Sequence, residues 1–192
     1  KSMMAFNIDP KMKDELLNLY KVLSPFQEVP ETLKTLKEKK FKLAILSNGT
    51  PSLLNELVKS NNLNNLFDDL FSIEQVGIYK PSSKVYDIPI KKYQIEKNEV
   101  AFLSANTWDV SGGGNYGYNS IWVNRNKNIF DKLDYTPNFE IRDLSKLIDI
   151  IWSVHLALSI NLQKYNVFIK KEKNEWKKKC NFWNLLWLWK DV

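Results

Sequence analysis

The sequence predicts an α/β fold, a parallel sheet flanked by helices. Two patterns predict it. Short apolar runs alternate with longer stretches whose apolar residues return every three or four positions, the signature of repeated strand–helix units. Most of the short runs are continuously apolar rather than alternating, as strands covered on both faces by helices should be. At 192 residues, 44% hydrophobic and 26% charged, the chain is long enough for one domain with a continuous core.

The first element in chain order is an amphipathic helix from Pro10 to Leu23, where Met12, Leu16, Leu19, Tyr20 and Leu23 form a stripe and Ser24-Pro25 ends it. A second helix runs from Pro30 to Lys40, with proline in the first turn, where no N–H is needed. Lys42-Leu43-Ala44-Ile45-Leu46 is the first strand, and it stops at Ser47-Asn48-Gly49-Thr50-Pro51. Thr50 is placed to cap the next helix and Pro51 to open it, while Leu53, Leu54, Leu57 and Val58 form its inner stripe. The cycle then repeats: strand Phe71-Ser72-Ile73, helix Ser82 to Tyr93, strand Val100 to Leu103, helix Trp108 to Tyr116, strand Ser120 to Val123. Two features weaken this pattern. Pro89 falls inside the helix from Ser82, at a cost of roughly 3 kcal/mol unless it kinks, and each of Gly112, Gly113 and Gly114 costs the next helix roughly 1 kcal/mol.

Charge divides the chain. Residues 152–192 hold eight lysines against three acids, a net of +5, whereas residues 1–151 hold twenty basic and nineteen acidic side chains, a net of +1. The body therefore carries no basic footprint for nucleic acid. The tail, with five of the seven tryptophans, shows no sustained amphipathic period and is expected to be a poorly ordered or helical appendage. The one cysteine, Cys180, cannot form an internal disulfide, no charged leader opens the chain, and no apolar run approaches the ~20 residues of a membrane span. A cytoplasmic protein that binds neither nucleic acid nor membrane is expected.

Ligands of parallel α/β sheets sit outside the carboxyl ends of the strands, so polar residues that follow strands are the candidates. Three clusters qualify: Ser47-Asn48-Gly49, Tyr79-Lys80-Pro81, and Ser104-Ala105-Asn106-Thr107-Trp108-Asp109. Each has a plain structural use as well. Ser47 and Asn48 suit a turn, Lys80 a solvated surface, Tyr86 a core, and Asp109 a helix cap. The single histidine, His155, lies far from these clusters in the sequence, so a Ser-His-Asp triad is not supported, and the glycine triplet lacks the Lys-Ser/Thr ending of a phosphate loop.

In order and spacing, Leu46-Ser47-Asn48-Gly49-Thr50, Val76-Gly77-Ile78-Tyr79-Lys80-Pro81 and Ser104 to Asp109 resemble the second, third and fourth motifs of the haloacid dehalogenase superfamily, and its (S)-2-haloacid dehalogenase branch in particular. The likeness runs from about Pro10 to Ile151 and takes in Pro25-Phe26-Gln27-Glu28-Val29-Pro30 and Trp122-Val123-Asn124-Arg125. It implies the end of a helical cap over 1–24, a Rossmann-like core over 25–151, and an unrelated tail over 152–192. It further implies that Ser47, Asn48, Tyr86 and Trp108 contact the substrate, Ser47 on its carboxylate and Asn48 near the leaving halide. An anion beside N–H groups at a helix start is physically sensible, because that end carries partial positive charge. Lys80, Ser104, Asn106 and Asp109 are implied to be catalytic. Lys80 steadies the nucleophilic carboxylate and the charge that develops on it, and Asp109 positions Lys80 and takes part in hydrolysis. Phosphatases of the superfamily carry an acid at the position of Ser104 to help hold Mg²⁺, so a serine there favours a reaction with no metal and no cofactor.

The resemblance also implies an aspartate nucleophile on a first motif, Asp-x-Tyr/Phe-Gly-Thr. That aspartate attacks C2, expels halide with inversion, and leaves an ester that water cleaves to a 2-hydroxy acid. No residue here matches it, since the earliest acid, Asp9, precedes Pro10 with no apolar strand before it. The expectation is a truncated or degenerate copy, its sheet interrupted where the first strand belongs, and inactive as given. For the complete protein the expectation is hydrolytic dehalogenation of a small (S)-2-haloacid, with a homodimer as an option the family allows. Two alternatives stand beside it: a Mg²⁺-dependent superfamily phosphatase, and a non-enzymatic fragment with a basic binding tail.

Overall fold

The computed structural model describes residues 2–151. The chain opens with a short helix α1 (Ser2–Ala5), a 3₁₀ turn at Pro10–Met12, helix α2 (Lys13–Leu19) and a second 3₁₀ turn at Tyr20–Val22. The single helix expected from Pro10 to Leu23 is thus three short pieces. Met12, Leu19 and Tyr20 of its stripe are exposed, so little packing holds the turns in register, and helices this short are marginal without it. The segment is moored at its far end instead. Ser60 Oγ and Asn61 Nδ2 donate to the carbonyls of Lys21 and Leu23, both at 2.8 Å, and Lys21 pairs with Glu56.

From Val29 onward, helices and strands alternate as expected: α3 (Val29–Glu38), β1 (Ala44–Ser47), α4 (Pro51–Ser60), β2 (Asp69–Ser72), α5 (Ser83–Tyr93), β3 (Ala101–Ser104), α6 (Thr107–Tyr116) and β4 (Asn119–Val123). Thr50 caps α4 by accepting from the Leu53 N–H, and Leu54, Leu57 and Val58 are buried from that helix. A further strand, β5 (Phe139–Ile141), was not expected. It is three residues long with a charged centre, Glu140, so it carries no apolar run to read.

All strand pairs are parallel, in two ladders: β1 with β2, and β3 with β4 with β5. One apolar cluster holds Ile45, Leu103 and Ile121, and another holds Ala44, Leu46 and Phe102. Successive strand residues therefore face opposite layers, as the pleat requires, and each layer draws on both ladders. The result is a helix–sheet–helix architecture whose two ladders share their packing.

The glycine triplet is not the flaw it seemed. A β-carbon on Gly113 would stand 2.6 Å from Phe102 Cδ1, one on Gly112 would stand 2.5 Å from the Tyr86 hydroxyl and 2.7 Å from Pro81 Cβ, and one on Gly114 would overlap Tyr135. The missing side chains let α6 lie directly on β3 and on the start of α5, a packing gain set against the propensity loss. Pro89 also sits within α5, buried, with the helix continuing to Tyr93.

The basic segment 152–192, with His155 and Cys180, lies outside the described residues. Among those described, no helix is long and apolar enough to cross a membrane.

Candidate active site

β1 ends in Ser47 and β3 in Ser104, and each of these serines folds the following loop back on itself. Ser47 Oγ accepts the Gly49 N–H at 2.8 Å, and Ser104 Oγ accepts the Asn106 N–H at 3.2 Å. Two polar side chains are thereby turned to the outside of the strand ends, Asn48 and Asn106. Asn48 is oriented further by its Oδ1, which accepts the Lys80 backbone N–H at 3.2 Å and leaves its NH₂ group free to face a ligand. Asn106 occupies the N-cap of α6 without using its side chain as a cap.

Lys80 follows the turn at Gly77 and precedes Pro81, to which it is joined by a cis peptide. Its ammonium is buried and lies 3.0 Å from Asp109 Oδ2, the two side chains being 1% and 3% exposed. The Phe102 ring centroid is 5.3 Å from the same Nζ. Asp109 stands in the first turn of α6, where the helix end favours its negative charge, and its Oδ2 accepts from the Lys80 ammonium. Oδ1 accepts the hydroxyl of Tyr86 at 2.9 Å. Burial pulls the Lys80 pKa below the ordinary lysine range, with the neighbouring Asp109 charge opposing the shift. Burial, with Asp109 next, pushes the Tyr86 phenol well above its ordinary value, so Tyr86 stays a donor.

A cavity of about 400 Å³ opens at this rim. Its polar side is Ser47, Asn48, Lys80, Asn106 and Asp109, and its apolar side is Leu17, Tyr20, Leu53, Leu54, Leu57 and Trp108. Six of the eight residues singled out from the sequence thus line this one cavity. The other two stand behind its lining: Ser104 and Tyr86 are fully buried and reach the cavity only through the Asn106 amide and the Asp109 carboxylate. The apolar residues other than Trp108 were not foreseen as site residues. Leu53, Leu54 and Leu57 carry an ordinary helix stripe, and Leu17 and Tyr20 come from a separate segment, so no local signal marks them. Trp108 also borders a wider cleft of about 960 Å³ whose charged side chains, Asp87, Lys97, Lys132 and Asp134, are of mixed sign. Among the described residues no group of three or more His, Cys, Asp and Glu side chains is set to hold a metal.

Residues 4–123 match a family described as haloacid dehalogenase-like hydrolase. The (S)-2-haloacid dehalogenase of Pseudomonas sp. strain YL is 33% identical over 147 residues, which is 77% of this chain and 63% of that protein. The (S)-2-haloacid dehalogenase 4A of Burkholderia cepacia is 32% identical over 153 residues, 80% of this chain and 63% of that protein. A solved structure of an L-2-haloacid dehalogenase, 29% identical, superposes with a TM-score of 0.72 over 78% of this chain and 67% of that one. The chain therefore spans 63% of the length of these two curated relatives.

Proposed function

The chain belongs to the haloacid dehalogenase-like hydrolases, and we propose that its cavity serves the hydrolytic dehalogenation of an (S)-2-haloacid to the 2-hydroxy acid. The observation that carries this reading is the two-sided cavity: a buried ammonium–carboxylate pair and three small polar side chains face a wall of leucines. A short 2-haloacid has the matching two sides, a carboxylate and an alkyl group. Its carboxylate goes to the Ser47 hydroxyl, whose oxygen already accepts from Gly49 and whose proton is left to donate. Its halogen goes beside the Asn48 NH₂ group, and its alkyl carbons lie against Leu53, Leu54, Leu57 and Trp108.

In the family reaction an aspartate displaces halide from C2 and forms an ester, and water then cleaves that ester at its acyl carbon. Lys80, buried at the rim beside Asp109, is the cation that would offset the charge moving across that carboxylate, in a setting where burial strengthens the interaction. Asp109, fixed at the rim by its bonds to Lys80 and Tyr86, is the carboxylate that accepts the proton of the attacking water. Ser104 and Asn106 fix the loop that presents Asp109. The neutral hydroxyl of Ser104, where the superfamily's phosphatases carry an acid, favours halide over phosphate chemistry. No residue of this sequence is assigned as nucleophile, so the chain as given should bind the acid without turning it over. The single cysteine fits a reducing cytoplasm, and a homodimer is consistent with the family.

The test has two parts. (S)-2-chloropropionate should bind the chain and bind Ser47→Ala at least tenfold more weakly. Joined to an N-terminal segment bearing Asp-x-Tyr/Phe-Gly-Thr, the chain should release chloride with chelator present. Hydrolysis of a phosphate ester that stops with chelator would instead make it a phosphatase.

A further inference from the structure

Each serine-headed loop is folded locally by its own hydroxyl, but something outside the loop must hold its far side. Ser72 and Ser47 are register partners across β1 and β2, and Ser72 Oγ donates to the Gly49 carbonyl at 2.7 Å. Trp122 and Ser104 are register partners across β3 and β4, and Trp122 Nε1 donates to the Ala105 carbonyl at 3.0 Å. The same device occurs twice. In each ladder the residue paired with the final serine reaches past the end of the strand and grips a loop carbonyl beside the asparagine that lines the cavity.

We infer that Ser72 and Trp122 are positioning residues, each locking one of the two loops that present Asn48 and Asn106 to the cavity. The inference rests on the function proposed above for that cavity. Both side chains are buried, and neither has much freedom to do anything else. Ser72 Oγ accepts the Glu74 N–H at 3.2 Å, which directs its one proton to Gly49. The Trp122 indole offers a single donor, and its ring is seated edge-to-face on Phe130 at 5.0 Å. Because the two grips belong to separate ladders, they act on separate loops.

General burial would also give both side chains hydrogen bonds, so the test must separate local locking from overall stability. The Gly49 and Asn106 amides are matched reporters, since each bonds to the serine that heads its loop. Hydrogen exchange of these two amides, read by NMR on the full chain without ligand, is the first measurement. Ser72→Ala should speed exchange at Gly49 about tenfold and leave Asn106 unchanged, and Trp122→Phe should do the reverse. Phe130→Leu, which keeps the indole donor, should change neither. The second measurement is affinity for (S)-2-chloropropionate, which should weaken roughly five- to tenfold in Ser72→Ala and in Trp122→Phe. Equal acceleration at both amides, tracking the loss of global stability, would reduce Ser72 and Trp122 to packing residues and overturn the inference. If Trp122→Phe does not fold, the Ser72 arm decides alone, because its loop and reporter are its own. Loop-specific exchange without any binding by the unaltered chain would sink the proposed function and leave the positioning role standing. Binding that is unaffected by either substitution would do the opposite.

Discussion

Asp109→Asn keeps the shape of the side chain and removes the counter-charge of a buried ammonium, so it asks directly whether Lys80 is held charged by its partner. The pair is 3.0 Å apart and almost wholly out of water, at 1% and 3% exposure. Removing one partner of such a pair costs about 3–5 kcal/mol, because the other charge is left buried and uncompensated. Lys80 can escape by releasing its proton, which sets a ceiling. From an ordinary pKa of about 10.4 to pH 7, at about 1.36 kcal/mol per unit, that route costs about 4.6 kcal/mol. Either way the loss is a large part of a typical domain stability of about 5–15 kcal/mol. The pH dependence has a definite sign. Burial holds the folded-state pKa of Lys80 below its unfolded value, so between the two values the unfolded chain binds more protons and stability rises with pH. The variant should therefore be weakest near and below neutrality and regain up to about 1.4 kcal/mol per pH unit as pH rises toward about 10.4. Urea unfolding followed by tryptophan fluorescence at several values between pH 6 and pH 10 measures this, with the Lys80→Met/Asp109→Asn double variant as the reference that lacks the lysine. A loss under about 1 kcal/mol at pH 7, or a slope no steeper than the double variant's, would refute the buried charged pair.

Two other perturbations follow from the same geometry. Helix propensity alone would make Gly113→Ala stabilising by about 1 kcal/mol, but the added β-carbon would lie 2.6 Å from Phe102 Cδ1. Overpacking against that buried ring should reverse the sign to a net loss of about 1–2 kcal/mol, read as a lower Tm, and a higher Tm would show that α6 can lift off β3 without cost. Asp68 is partly buried, which raises its pKa, but the hydrogen bonds from Lys37, the Leu43 N–H and Lys42 outweigh burial and hold it below the ordinary carboxylate value. Its contribution is thus complete above the unfolded pKa of about 3.9 and is lost as pH falls through the lower folded value. Asp68→Asn should be less stable than the parent at pH 7, and the difference should shrink as pH falls below the unfolded carboxylate value; parallel acid-unfolding curves would rule this out.

Much of this was legible in the chain. The alternation of apolar runs and amphipathic stretches placed α3 to α6 and β1 to β4 within a residue or two, because a strand covered on both faces and a helix covered on one leave different periods in the sequence. The motif order gathered Ser47, Asn48, Lys80, Asn106, Trp108 and Asp109, since residues that follow parallel strands are brought to a common rim whatever lies between them. Where reading failed, the missing information was tertiary. The stripe of Met12, Leu19 and Tyr20 has helical spacing, but spacing says nothing of whether a partner covers it, and here they are exposed. Gly112 to Gly114 look costly by propensity, which counts only the helix itself and cannot see Phe102, Tyr86 and Tyr135 pressed against it.

Local pattern thus sufficed for the kinds of element, their order and the polar residues at strand ends, because each depends on neighbours a few positions away. The apolar half of the cavity, the retreat of Tyr86 behind Asp109, and the grips of Ser72 and Trp122 join residues distant in the chain. Such contacts are set by strand register and by how closely α6 can approach β3, and these are properties of the packed sheet that no single segment carries.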